Sequence, residues 1–197
     1  MANSLYITSL EPRGGKAIAA LGFMDQLAGH LKNVGVFRPI IADDCGPDRL
    51  ITLLRSLYHG EFPEGGGCGV PLDEARSLLA GSRHDELYSR ILERYKALES
   101  RCDFVLCVGS DYTGVSTALE FDLNVEIARN LGSPLVPIVN GRGKEPGAVA
   151  NAVRALLESL EEKKCDVLAV LVSRVDPARR EGLLDAVRKG RDNGTPV

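Results

Sequence analysis

Five apolar runs constrain this chain more than any other feature: SLYITS (4–9), VGVFRPI (34–40), DFVLCVG (103–109), SPLVPIV (133–139) and CDVLAVLV (165–172). They are rich in Val, Ile and Leu and show little alternation of apolar with polar positions. That is the pattern of strands covered on both faces, as in a parallel sheet. Between them lie segments of helical period. Residues 16–32 place Ile18, Leu21, Phe23, Leu27 and Leu31 on a broad apolar face, and 85–101 space Leu87, Ile91, Tyr95 and Leu98 by three and four. Residues 120–131 and 147–163 read the same way, and Asp176-Pro177 ahead of ARREGLLDAVRKG supplies an N-cap and a Pro at the first helical position. Strand followed by helix, repeated, implies right-handed crossovers and an α/β three-layer sandwich with a mostly parallel sheet. Residues 47–58 (PDRLITLLRSLY) add a helix after the second strand, and 60–71 (GEFPEGGGCGVP) read as a Gly-rich loop.

A chain of 197 residues fits one domain, 1–197, with one core. A net charge of −3, with no basic stripe and no aromatic stacking platform, argues against nucleic acid or an anionic membrane as partner. The apolar runs are too short to span a bilayer and the amino terminus lacks a signal-peptide core, so a cytoplasmic location is expected. The cysteines, at 45, 68, 102, 107 and 165, show no metal-ligand spacing, and their odd number argues against a disulfide framework. His30, His59 and His84 are scattered. The final NGTPV follows a helix and reads as the approach to another strand, which predicts that the chain is the amino-terminal part of a longer one.

The stretch SLEPRGGKA (9–17) lies between the first predicted strand and the first predicted helix. A phosphate loop in that place works because successive backbone N–H groups turn inward and the helix presents its positive end to the anion. Gly14, Gly15 and Lys16 stand where such a loop needs them, and Arg13 adds a second cation. The departures are equally specific. Leu10 occupies the first glycine of the usual spacing, Pro12 removes an N–H donor, and Ala17 replaces the hydroxyl residue that ligates magnesium. Binding of a phosphate or nucleotide without a metal is the expectation, with no cofactor required and no catalytic residue assigned. Residues 109–114 (GSDYTG) end the central strand and place Asp111 on the same crevice as a candidate ligand contact. Asp43-Asp44 read as a solvated turn and RVDPARRE as a charged helix start.

These ordered segments resemble the dethiobiotin-synthetase-like branch of P-loop proteins, and within it the amino-terminal domain of long-form phosphate acetyltransferases. The likeness runs through SLEPRGGKA, VGVFRPI, the segment 70–109, DLNVEIARNLGSPLVPIVNG and LAVLVSRVDP. It implies a P-loop NTPase-like fold, a carboxy-terminal acetyltransferase domain as partner in the same chain, and a homo-oligomer. In this likeness Lys16 matches the loop lysine and Arg38 stands for a second cation after the second strand. Val108 replaces the acidic residue that ends the central strand, and Ser173-Arg174 replace an Asn-Lys pair. With Ala17, these changes imply a regulatory or assembly domain of the acetyltransferase. The alternative the same likeness offers is an active ATP-dependent dethiobiotin-synthetase-like ligase.

Overall fold

A computed structural model describes residues 3–42, 48–58, 67–110 and 117–189. The strands are β1 (Asn3–Ser9), β2 (Val34–Ile41), β3 (Cys68–Pro71), β4 (Phe104–Val108), β5 (Leu135–Asn140) and β6 (Leu171–Ser173). The helices are α1 (Lys16–Ala28), α2 (Arg49–Leu57), α3 (Leu72–Ala80), α4 (His84–Glu99), α5 (Thr117–Leu131), α6 (Pro146–Glu162) and α7 (Arg180–Lys189), the last preceded by a 3-10 turn at Pro177–Arg179. Every ladder is parallel, in the order β3-β2-β4-β1-β5-β6.

The apolar runs form strands because both of their faces find cover. Leu5, Ile7, Val36, Leu106, Val108, Val136 and Ile138 pack under α1 and α2, through Ala20, Met24, Ile51 and Leu54. The alternate positions, Tyr6, Phe37, Val105, Cys107, Leu135 and Val139, join the core built with the remaining helices. Phe37 meets Tyr95 of α4 edge to face, with ring centroids 5.6 Å apart. Helices on both faces give three layers.

Two expectations need correction. The end of the Gly-rich segment is strand β3, paired with β2 through Arg38–Cys68 and Ile40–Val70. Glycine makes this pairing possible, since a Cβ on Gly69 would lie 2.0 Å from the Pro39 carbonyl oxygen. The rest of that segment, 60–66, lies outside the described residues, as do Asp43, Asp44, Cys45, His59, Asp111 and residues 190–197. The fifth apolar run is mostly not a regular ladder. It touches β5 at Leu135–Val167 and pairs again from Ile138–Leu171, so the edge strand holds one residue more than its partner between those points. That is a bulge, a common device at sheet edges. It leaves Leu168 54% exposed.

From β1 the chain runs outward to β2 and β3, returns to β4 beside β1, and then crosses to β5 and β6 on the other side. The carboxyl ends of β1 and β4 therefore flank the point where the winding direction changes, which is where open α/β sheets bind ligands.

Candidate phosphate site at the carboxyl ends of β1 and β4

Between Ser9 and α1 the chain forms a tight loop. The Ser9 hydroxyl donates to the Glu11 carbonyl at 2.9 Å, and Leu10 N–H donates to Ile138 O at 3.3 Å. A Cβ on Gly14 would sit 2.9 Å from the Ser9 Cβ, so this bend admits only glycine without a shift. Gly15 has φ +104° and occupies the N-cap of α1, in the left-handed region that glycine enters freely. It brings no capping side chain, and the first turn of α1 carries no acidic residue. The N-terminal N–H groups and the positive end of the helix dipole thus face the loop, an arrangement that favours an anion. The Ser173 hydroxyl, from the end of β6, donates to Gly14 O at 2.7 Å and ties the loop to the far side of the sheet.

Lys16 is 6% exposed and its Nζ donates to Ser110 O at 3.3 Å. Arg13 is exposed, with φ 57°. Ala17 is exposed at the place of the metal-ligating hydroxyl. Arg38 lies within β2 rather than after it, opposite Cys68 of β3, and its side chain reaches across the end of β4. Its Nη1 donates to Gly109 O at 3.0 Å and Val108 O at 3.4 Å, and its Nε donates to Asp48 at 3.2 Å. The second oxygen of Asp48 accepts from Leu50 N–H and Ile51 N–H and so caps α2. Lys16 and Arg38 are brought to one strand end, with Gly14 and Gly15 beside them.

The composition of this site was only partly visible in the sequence. Ser110 is buried, donates its hydroxyl to Ile40 O, and offers its carbonyl to both Lys16 and Asn124. Asn124 of α5 also donates to Glu120 O at 2.8 Å and accepts the Tyr6 hydroxyl at 2.8 Å. Asn124, Tyr6 and Ser173 therefore hold the surroundings of the loop, and their partners lie far away in sequence. One signal was available, a polar Asn at a position of α5 flanked by core residues such as Val125. The RVDPARRE segment behaves as a helix start: Asp176 accepts from Ala178 N–H, and Arg179 pairs with Glu145. His30 and His84 are both exposed.

Among the described residues no group of three or more His, Cys, Asp and Glu is placed to hold a metal. The described cysteines are free thiols, and burial raises the pKa of each. No helix among the described residues is long and apolar enough to cross a membrane.

Residues 3–191 match the AAA domain family AAA_26. The chain belongs to that family. It is 35% identical over 191 residues to a phosphate acetyltransferase of Nitratidesulfovibrio vulgaris and 34% identical over 179 residues to one of Synechocystis. These matches cover 95% and 90% of the chain but 27% and 26% of the relatives, so the chain spans about a quarter of their length, corresponding to their amino-terminal domain. An ATP-dependent dethiobiotin synthetase of Sulfurovum is 29% identical over 148 residues, 71% of this chain and 70% of that one. Among solved structures, chloroplast FtsY of Physcomitrella patens has a TM-score of 0.59 at 13% identity, covering 100% of this chain and 57% of that one. The McdA–ATP complex of Cyanothece scores 0.56 at 16% identity, covering 95% and 78%. At such identities the likeness is one of fold, and that fold is the P-loop NTPase-like α/β sandwich.

Proposed function

We propose that this chain is a regulatory or assembly domain of a phosphate acetyltransferase, and that the loop before α1 receives a phosphate-bearing anion without transferring phosphoryl groups. The enzyme to which it would belong interconverts acetyl-CoA and phosphate with acetyl phosphate and CoA. The chemistry would reside in a carboxy-terminal domain, within a cytoplasmic homo-oligomer. One observation carries the reading. The loop keeps Gly14, Gly15, a buried Lys16 and an open helix terminus, while Ala17 stands where magnesium needs an oxygen ligand. The donors fit phosphate oxygens and do not fit a divalent ion. Arg13 belongs to the same loop, Arg38 donates to the carbonyls at the end of β4, and Asp111 follows Ser110 in the chain.

Titration calorimetry with inorganic phosphate, ADP and ATP, with and without magnesium, tests this. Binding is expected to be indifferent to magnesium. It should weaken by about tenfold or more in Lys16→Ala, the worth of one charge-assisted contact. In Ala17→Thr a hydroxyl returns beside the phosphates, and magnesium should then strengthen ATP binding.

The likeness to dethiobiotin synthetase favours a second reading, an ATP-dependent ligase. Magnesium-dependent release of ADP from ATP by the unaltered chain, lost in Lys16→Ala, would support it against the first.

A further inference from the structure

On the sheet face opposite α1, a cavity of about 430 Å³ lies between α3, α4 and α5. That volume is within the roughly 300–1,000 Å³ of small-molecule pockets. Strand β2 contributes Ile40 to its lining, α3 contributes Leu72, Ala75 and Leu79, α4 contributes Tyr88, and α5 contributes Leu123. These surfaces are hydrocarbon joined by one aromatic ring. A water molecule is held by two to four polar partners, and such a lining gives it few. Hydrocarbon fits the lining better than water does, and each methylene withdrawn from solvent is worth about fourfold in affinity.

The ionised side chains on the same lining are answered by groups that do not line it. Asp122 pairs with Lys163, Glu126 with Arg129 at 3.2 Å, and Arg76 with Asp73 at 3.5 Å. His84 lies beside the Tyr88 ring, with centroids 6.5 Å apart, and is exposed. Glu120 is buried with its Oε1 closed off from the surface, and the site draws on no charge from it. A charged ligand would therefore leave water for hydrocarbon and find its countercharges already committed. An uncharged ligand makes no such demand.

We propose that this cavity is a binding site for an uncharged aliphatic molecule, held between α3 and α5 by burial of its hydrocarbon against Ile40, Leu79 and Leu123. Its affinity grows with chain length, and a charged head group of either sign lowers it. The site shares neither α1 nor the loop before it with the anion site, so it stands or falls separately from the function proposed above.

The probes are 1-hexanol, 1-octanol, octanoate and n-octylamine, titrated by calorimetry into the protein and into Ala75→Leu, which extends a buried lining residue into the cavity. Octanol is expected to bind saturably at one site per chain, about fifteenfold more tightly than hexanol, the worth of two methylenes. Octanoate and octylamine should each bind at least about tenfold more weakly than octanol. Ala75→Leu should weaken octanol by about tenfold or more, with a thermal melt establishing that the variant is folded. If it does not fold, methyl resonances of the unaltered protein decide. Those of Leu72, Leu79 and Leu123 should shift on adding octanol, while those of Leu54, packed on the other face of the sheet, stay in place. Absence of saturable octanol binding, a charged probe that equals octanol, no gain from hexanol to octanol, octanol affinity unaltered in a folded Ala75→Leu, or unmoved resonances of Leu72, Leu79 and Leu123 would each overturn the proposal.

Discussion

Replacing Arg38 with Met separates two roles for this side chain, a clamp on the sheet and a contact for phosphate. Its guanidinium makes an ion pair with Asp48 in which the side chains are 16% and 9% exposed, and it donates to the carbonyls of Val108 and Gly109. Met matches the length of the stem and supplies no donor. Asp48 is then left largely buried without its countercharge, and breaking such a pair costs about 3 kcal/mol. The carbonyls at the end of β4 lose a charged donor, which adds about 1 kcal/mol if water does not replace it. Asp48→Asn should cost less, about 1–2 kcal/mol, because an Asn side chain still caps α2. The two substitutions should not add. A double-mutant cycle by urea unfolding is expected to give a coupling of about 1.5–3 kcal/mol. Arg38→Lys should recover little, because a compact ammonium cannot serve Asp48 and the β4 carbonyls together. If the donors are committed to the clamp, Arg38→Met leaves phosphate affinity within about twofold of the unaltered protein, since no ligand contact is lost. A stability loss below about 1 kcal/mol, joined to a tenfold loss of phosphate affinity, would refute the reasoning and make Arg38 a ligand contact.

Gly69→Ala and Gly22→Ala should move stability in opposite directions in the same denaturation assay. At Gly69 the new Cβ meets backbone, 2.0 Å from Pro39 O, so β3 must withdraw from β2 at a cost of at least about 2 kcal/mol. At Gly22, on α1, nothing lies within 4 Å, and helix propensity predicts a gain of about 0.5–1 kcal/mol. Cys107 is fully buried and burial raises its thiol pKa, so a thiol-specific disulfide reagent at neutral pH should label it only after unfolding, whereas the exposed Cys68 should react in the folded protein. Burial also pushes Tyr95 up to about 12 from an ordinary 10. The neutral phenol is the form the fold favours, so its contribution is fully present below pH 10 and is lost as pH rises toward 12. Phenolate absorbance should show a late-ionising component that Tyr95→Phe removes, together with loss of near-ultraviolet dichroism, and early ionisation of Tyr95 in a folded protein would contradict this placement.

What the sequence disclosed and what it concealed divide along one physical line. Strands β1, β2, β4 and β5 were legible because each is covered on both faces, and burial writes itself into consecutive apolar residues. Strand β3 was not legible, because its register depends on the absence of a side chain. Gly69 lowers strand propensity, yet only Gly can lie against the Pro39 carbonyl. The bulge between Val167 and β6 was hidden for a similar reason, since an extra residue is visible only against the partner strand. The loop before α1 follows the same division. Gly15 and Lys16 could be read because their geometry is set by neighbours in the chain. Their supports could not: Ser173 reaches Gly14 across 159 residues, Lys16 reaches Ser110 across 94, and Tyr6 reaches Asn124 across 118. These links exist only because the sheet order puts β4 and β5 on either side of β1. A loop motif therefore names the groups that are able to hold an anion, and the sheet decides whether those groups are free to do so. In this fold Lys16 already rests on a carbonyl at the end of β4, so an arriving phosphate must be a better acceptor than Ser110 O. The exchange is favourable for an anion, which accepts charge-assisted hydrogen bonds roughly twice as strong as a neutral carbonyl does. It offers nothing to a neutral ligand, and that asymmetry is the physical ground for expecting selectivity without a metal.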